Sequence, residues 1–329
     1  GANTYTGATT INAGTLQLGT VGGSGSLADT TAVRVNNAAI FDVRVTDTIG
    51  SLAANSNARV VLAESITLSA GGLNSDTEIA GVIAGAGSFT KLGTGTLTLS
   101  AANTYSGATT ISAGTLLLTG TLWDTSAVNL VNSGAVYDVR ASDSIGSLAG
   151  VSGTSVILGS GVTLTSGWNN TSTTMTGVIS GASASGIVKA GSGTLTLAGA
   201  NTYNGGTTIN GGLIQLGADE AIPNASLLTV ASGAEFYLNH HTETVYRIAG
   251  NGSIHLASTL LIGGDNSSYT IDPTIYGTGN LVKQGTGTIT VSGTGNGSGA
   301  SATNHGVYVT GSITGAGGAM SITGLGGLS

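Results

Sequence analysis

Short runs in which aliphatic residues alternate with Thr, Ser or Asn recur along the whole chain, each closed off by Gly, Asn or Ser. Thr96-Leu97-Thr98-Leu99, Thr115-Leu116-Leu117-Leu118, Val128-Asn129-Leu130-Val131, Ala135-Val136-Tyr137-Asp138-Val139 and Ser155-Val156-Ile157-Leu158 are examples. Alternation at period two places Leu, Val and Ile on one face and the polar residues on the other, which predicts very short strands. Leu97, Leu116, Val136 and Val156 fall roughly 20 residues apart, the length of one turn of a three-stranded β-solenoid. At that period the chain would wind into about 16 coils and extend about 75–80 Å, with each strand pairing in parallel with its counterparts above and below.

A longer period is superimposed on the short one. Asn3-Thr4-Tyr5-Thr6-Gly7, Asn103-Thr104-Tyr105-Ser106-Gly107 and Asn201-Thr202-Tyr203-Asn204-Gly205 each open a similar line. Lys91-Leu92-Gly93-Thr94-Gly95, Lys189-Ala190-Gly191-Ser192-Gly193 and Lys283-Gln284-Gly285-Thr286-Gly287 each close one. Tandem copies of about 100 residues follow, with units at 1–100, 101–198 and 199–292. Units one and two also share Phe41-Asp42-Val43-Arg44 with Tyr137-Asp138-Val139-Arg140, where unit three has drifted to Phe236-Tyr237-Leu238-Asn239. Residues 293–329 start with a Gly/Ser/Thr/Asn stretch and read as a linker or as a different β repeat; the alternation from Val307 to Ile313 favours the second. Tandem repetition indicates a quasi-one-dimensional molecule rather than a compact domain with one cleft.

Composition sharpens this picture. Of 329 residues, 57 are Gly and only 7% are charged, while 40% are hydrophobic and mean hydropathy is +0.32. Such a chain has the apolar content to fold, and its wealth of Thr, Val, Ile and Leu directs it to β. A net charge of −7 with eight scattered Lys and Arg residues argues against nucleic acid as a partner. Apolar stretches are too short and too often broken to span a membrane as helices. The absence of Cys excludes disulfides, thiolate metal sites and cysteine nucleophiles. Since the chain opens inside a repeat and lacks a signal peptide, it is expected to be a segment of a longer polypeptide.

The lines Asn103-Thr104-Tyr105-Ser106-Gly107-Ala108-Thr109-Thr110-Ile111 and Asn201-Thr202-Tyr203-Asn204-Gly205-Gly206-Thr207-Thr208-Ile209, with their flanking Leu-rich lines, resemble the autotransporter-associated β-strand repeat, or passenger-associated transport repeat. The match covers a quarter to a third of residues 1–292. The stretch from His305 is similar, less specifically, to repeats of giant filamentous-haemagglutinin-like surface proteins. The resemblance implies a right-handed parallel β-helix, secretion across a bacterial outer membrane, and a role as stalk, adhesin or secretion-assisting fold. The C-terminal membrane barrel of that family has no counterpart here.

Candidate chemistry is sparse. Asp42, Arg44 and Asp47, echoed by Asp138, Arg140 and Asp143, are the nearest approach to the acidic constellation of a β-helical polysaccharide lyase. Asp42 and Arg44 share a strand face, however, and a constellation that recurs is expected to be an exposed ion pair rather than a catalytic centre. His240, His241, Glu243 and His255 are metal-ligand types, yet adjacent histidines on a strand point to opposite faces unless a loop bends there. Tyr5, Tyr105 and Tyr203 are too far apart to form a ladder, and each is expected to cover its own turn with its hydroxyl in water. Lys91, Lys189 and Lys283 are expected at solvated coil edges. Trp123 and Trp168 would be a binding clue if exposed. Gly93 and Gly95 do not make a dinucleotide fingerprint, because no helix follows.

These readings assign no catalytic, cofactor or metal site. They describe an all-β, right-handed parallel β-helix that serves as a non-catalytic stalk or filament segment of a bacterial surface-exposed or secreted protein. The expected partner is the chain itself through axial continuation, with host or neighbouring cell-surface glycans as a further candidate. A glycan-binding adhesin face is the alternative function, and a polysaccharide lyase or hydrolase the third.

Overall fold

The computed structural model describes residues 1–20, 23–294, 313–315 and 320–325. Among them there is no helix; the chain winds through about 13 turns of a parallel β-solenoid. Every strand pairing is parallel, as a chain that always turns the same way requires. Strands occupy three faces. The first carries a 10-stranded sheet from Thr9–Ile11 to Thr202–Asn204, then a four-stranded one that begins at Glu243–Val245. A five-stranded sheet from Thr15–Leu18 to Thr104–Tyr105 lies on the second face, followed by six- and three-stranded sheets. One 12-stranded sheet, from Asp47–Ile49 to Thr274–Gly277, makes the third.

Alternation does the sorting that the sequence predicts. In Thr96–Leu99, Thr115–Leu118 and Thr194–Leu197 the Leu residues at the second and fourth positions are buried, while the residues between them face outward. The inward set forms one hydrophobic column running from Ile11 to Val291. Coils are less uniform than the 20-residue estimate: Val33 lies beside Leu52, but Ala54 lies beside Ile79. Longer coils mean fewer of them: the described residues make about 13 turns, about 60 Å of solenoid, where the whole chain was expected to make about 16.

The long repeat is out of phase with the three faces. Thr9–Ile11 is the first strand, Thr109–Ile111 the fourteenth and Thr207–Ile209 the twenty-seventh, and each of these units also contains one stretch where a strand is missing. Fourteen positions are not divisible by three. The three equivalent strands therefore lie on the first, third and second faces. Each copy of the unit is turned by a third of a revolution relative to the one before it, so successive motifs are about four and two-thirds coils apart rather than five.

Beyond the third unit, Ile313–Gly315 pairs with Asn280–Lys283 and Met320–Leu325 with Ile289–Thr294, both parallel. The ladders continue there. The linker stretch after residue 294 and the alternation expected over 307–312 lie outside the described residues.

Candidate functional site: polar clips within the coil and an exposed tryptophan corner

The strandless stretches explain where the recurrent polar residues go. A missing strand leaves backbone donors and acceptors without ladder partners, and such groups must be satisfied when buried. In unit two the Asn103 side chain accepts from the Ile83 N–H at 3.0 Å on one side and donates to the Thr121 carbonyl on the other. The Leu122 N–H then donates to Asp143 Oδ2 at 3.1 Å. Unit three repeats the arrangement, with Asn201 between Ile179 and Ala221, and Ile222 donating to Glu243 at 3.0 Å. Unit one does so with Asn3 on Ser26 and with Leu27 donating to Asp47. The opening Asn and the buried acid thus clip the strandless coil to its neighbours.

Burial shows in the acidities. Desolvation pushes the Asp143 carboxyl up to about 6 and Glu243 up to about 8, against the backbone N–H bonds that lower both. Asp47 is raised for the same first reason. The sequence expectation that Asp47 and Asp143 belong to an exposed acidic group is therefore corrected: both point into the coil. Asp42 with Arg44, at 2.8 Å, and Asp138 with Arg140, at 2.7 Å, do form the expected ion pairs with the Arg exposed.

Lys91, Lys189 and Lys283 also overturn expectation, being almost wholly buried. Each ends a strand and precedes a turn whose Gly has positive φ, Gly93, Gly191 or Gly285, so that turn carbonyls converge on the ammonium. Lys91 Nζ donates to the carbonyls of Leu92, Gly93 and Ala113; Lys189 Nζ donates to those of Ala190, Gly191 and Gly211. An ammonium has three donors and no acceptor, and these carbonyls use all three. Desolvation lowers Lys91 to about 8, with Asp76 acting in the opposite direction.

Tyr105 and Tyr203 are buried too, with their hydroxyls on Thr109 and Thr207 Oγ1 rather than in water. Tyr5 alone of the three is exposed, though it makes the same bond to Thr9. The histidine group is dispersed. His240 and His241 occupy a turn, with His240 at φ 68°, and His241 sits 3.1 Å from Asp219, while Glu243 faces Ile222.

Sequence reasoning missed one cluster. Tyr237, His255 and Tyr276 stack on adjacent coils of the third face, with ring centroids 4.4 and 4.7 Å apart, and Glu235 accepts from the Tyr276 hydroxyl. Their register, Tyr237 beside His255 and His255 beside Tyr276, was the available signal. Because the rings cover one another, they present edges to solvent.

The tryptophans sit differently. Trp123 is 47% and Trp168 51% exposed, each in a turn between the second and third faces. The Gly146 N–H donates to the Ser126 carbonyl and the Asn169 N–H to that of Gly146, so one coil whose corner is a single Gly separates the two turns. Beside Trp123 lies a groove of about 320 Å³ lined by Asp124, Ser142, Asp143, Ser144, Thr163 and Thr165, among others.

Comparison with known proteins agrees with this architecture. The passenger-associated-transport-repeat model matches residues 1–18, 89–118 and 187–216, the stretches that hold the opening Asn and, in the last two, the clipping Lys. Over 164 residues the chain is 33% identical to a protein described as "Adhesin BmaC autotransporter" from Brucella suis biovar 1 (strain 1330). The alignment spans 47% of this chain and 5% of that relative. No solved structure matches. Three stretches of the chain thus match the passenger-associated-transport-repeat model, and all three are wound into one parallel coil.

Proposed function

We propose that this chain is a non-catalytic structural stalk or filament segment of a large adhesin-like protein exposed on, or secreted from, a bacterial cell. The observation that carries this reading is the use made of the charged residues. Buried carboxylates that could have served chemistry are spent on coil-to-coil hydrogen bonds in each unit. The buried lysines are spent on the carbonyls of the turn that follows them, Lys91 and Lys189 also reaching the next coil. A catalytic pair needs a free face towards substrate. Asp42 and Asp138 are instead held by Arg44 and Arg140. The Brucella relative, described as an autotransporter adhesin, supports the surface location and the adhesin-like role.

A parallel ladder is open along its axis, since each coil offers the donors and acceptors that another can use. Axial continuation, by further repeats or by other chains, is the interaction this segment is suited to. Electron microscopy of the purified chain should show rods about 60 Å long or end-to-end multiples of that length. Compact round particles at every concentration would contradict the stalk reading. The same preparation should leave uronic and neutral polysaccharides uncleaved, with or without Ca²⁺; cleavage abolished by Asp138→Ala would restore the enzyme reading.

A further inference from the structure

Equivalent corners of the three units carry different side chains on one backbone. In unit one the turn at Ala28 (Thr31 N–H to the Ala28 carbonyl) is followed by Gly50 and then Leu73, linked by Gly50 N–H to Thr31 O and Leu73 N–H to Gly50 O. Unit two links Trp123, Gly146 and Asn169 through the same bonds, and Trp168, one residue before Asn169, stands where unit one has Gly72. In unit three Pro223 and Tyr246 take the first two positions, and Gly263 donates to the Tyr246 carbonyl. Leu73, Trp123, Trp168 and Tyr246 are all among the exposed large hydrophobic residues. Elsewhere in the unit the polar clips repeat; at this corner the first two backbone bonds repeat in all three units while the side chains do not. Repetition marks what the coil needs, so the side chains that vary here are free of that requirement.

The unit-two corner has the features of a binding site. Both tryptophans of the chain are there. They project from turns two coils apart, about 10 Å along the axis, with the low Gly146 corner between them. A side chain on Gly146 would run into the Thr125 carbonyl, which keeps this floor flat. Next to it, the groove over the second face offers the hydroxyls of Ser142, Ser144, Thr163 and Thr165 and the carboxylate of Asp124. An indole face is an apolar platform, and hydroxyls with a carboxylate are donors and acceptors for an alcohol-rich ligand. The pairing fits one ligand class, in which apolar C–H faces alternate with dense hydroxyls.

We propose that Trp123, Trp168 and the groove beside them form a binding site for a neutral oligosaccharide, a function added to the stalk and independent of it. Two sugar rings of one chain lie against the two indoles, and their hydroxyls exchange hydrogen bonds with the Ser, Thr and Asp124 side chains. Asp124 disfavours uronic or sialic acids by charge. Successive units are turned by a third of a revolution, so the corresponding corners of units one and three face other directions; they lack the indole pair and are not sites for this ligand.

Because the only two tryptophans lie in the site, intrinsic fluorescence reports it directly. Cellotetraose, maltotetraose and chitotetraose serve as neutral probes, with tetragalacturonate as the anionic one. At least one neutral probe is expected to shift the emission saturably, and tetragalacturonate at least tenfold more weakly. Trp168→Ala and Trp123→Ala should each weaken that binding tenfold or more by calorimetry, with the β circular dichroism spectrum unchanged, whereas Leu73→Ala leaves it intact. No response to any neutral probe, undiminished binding in the Trp123→Ala, Trp168→Ala double variant, or equal binding of tetragalacturonate would overturn the proposal. None of these results bears on whether the particles are rods, so the stalk reading stands or falls separately.

Discussion

Glu243 shows how a single buried side chain couples the coil to pH. It is fully buried, accepts from the Ile222 and Thr244 N–H groups, and holds its proton up to about 8, chiefly through desolvation, with Glu220 adding to the effect. The unfolded chain releases that proton near 4.5. Between those values the folded state binds more protons than the unfolded state, so stability is greatest at low pH and declines as pH rises from about 4.5 to about 8. Asp143 acts in the same direction up to about 6. Glu243→Gln keeps an acceptor for Ile222 and removes the titration. Thermal unfolding followed from pH 5 to 8 should show a falling midpoint in the parent chain and a flatter profile in the variant, a difference on the order of 2–4 kcal/mol across the range. Equal slopes would show that Glu243 does not titrate in the folded coil.

At the scale of the strand and its turn, the closing line of each unit behaves as one device. The strand Ser88–Lys91 ends in a lysine, Gly93 reverses the chain at φ 67°, and the ammonium gathers the carbonyls that the turn leaves unpaired. Lys91→Met preserves the stem that packs in the coil and removes only the donors. Three half-buried carbonyls then lose a partner, so urea unfolding should report a loss of about 2 kcal/mol. An exposed lysine of the kind the sequence suggested would cost less than about 0.5 kcal/mol. Strand identity and inward-facing residues were legible here because alternation at Thr96, Leu97, Thr98 and Leu99 depends only on the pleat. The role of Lys91 was not. Burial of a lysine depends on carbonyls from a turn 22 residues further on, at Ala113, which no local pattern displays. Asn103 and Asp143 were opaque for the same reason: the repeat marked them as important, but their partners belong to a coil that has lost a strand.

Across the whole molecule, the mismatch between a unit of fourteen strand positions and a coil of three faces governs what the surface presents. Equivalent features spiral around the axis instead of forming a ladder, and the strandless stretches at Leu27, Leu122 and Ile222 fall on the third, second and first faces in turn. A stalk built this way distributes its weaker coils around its circumference. The roughly 20-residue period was readable from Leu97, Leu116 and Val136, but the true count of turns was not, since longer coils such as that from Ala54 to Ile79 hide their extra residues in turns. Everything rests on parallel, in-register stacking of one coil on the next. A chain without cysteine allows this to be tested by introducing one pair at a time. Thr110 and Asn129 are outward-facing register partners on neighbouring coils, and partners about 4.8 Å apart lie within disulfide reach. Mild oxidation of the Thr110→Cys, Asn129→Cys variant should give near-complete intramolecular cross-linking, while Thr110→Cys, Leu130→Cys, with its second thiol turned into the core, should give almost none. Equal cross-linking of both pairs, or of neither, would contradict the parallel coil.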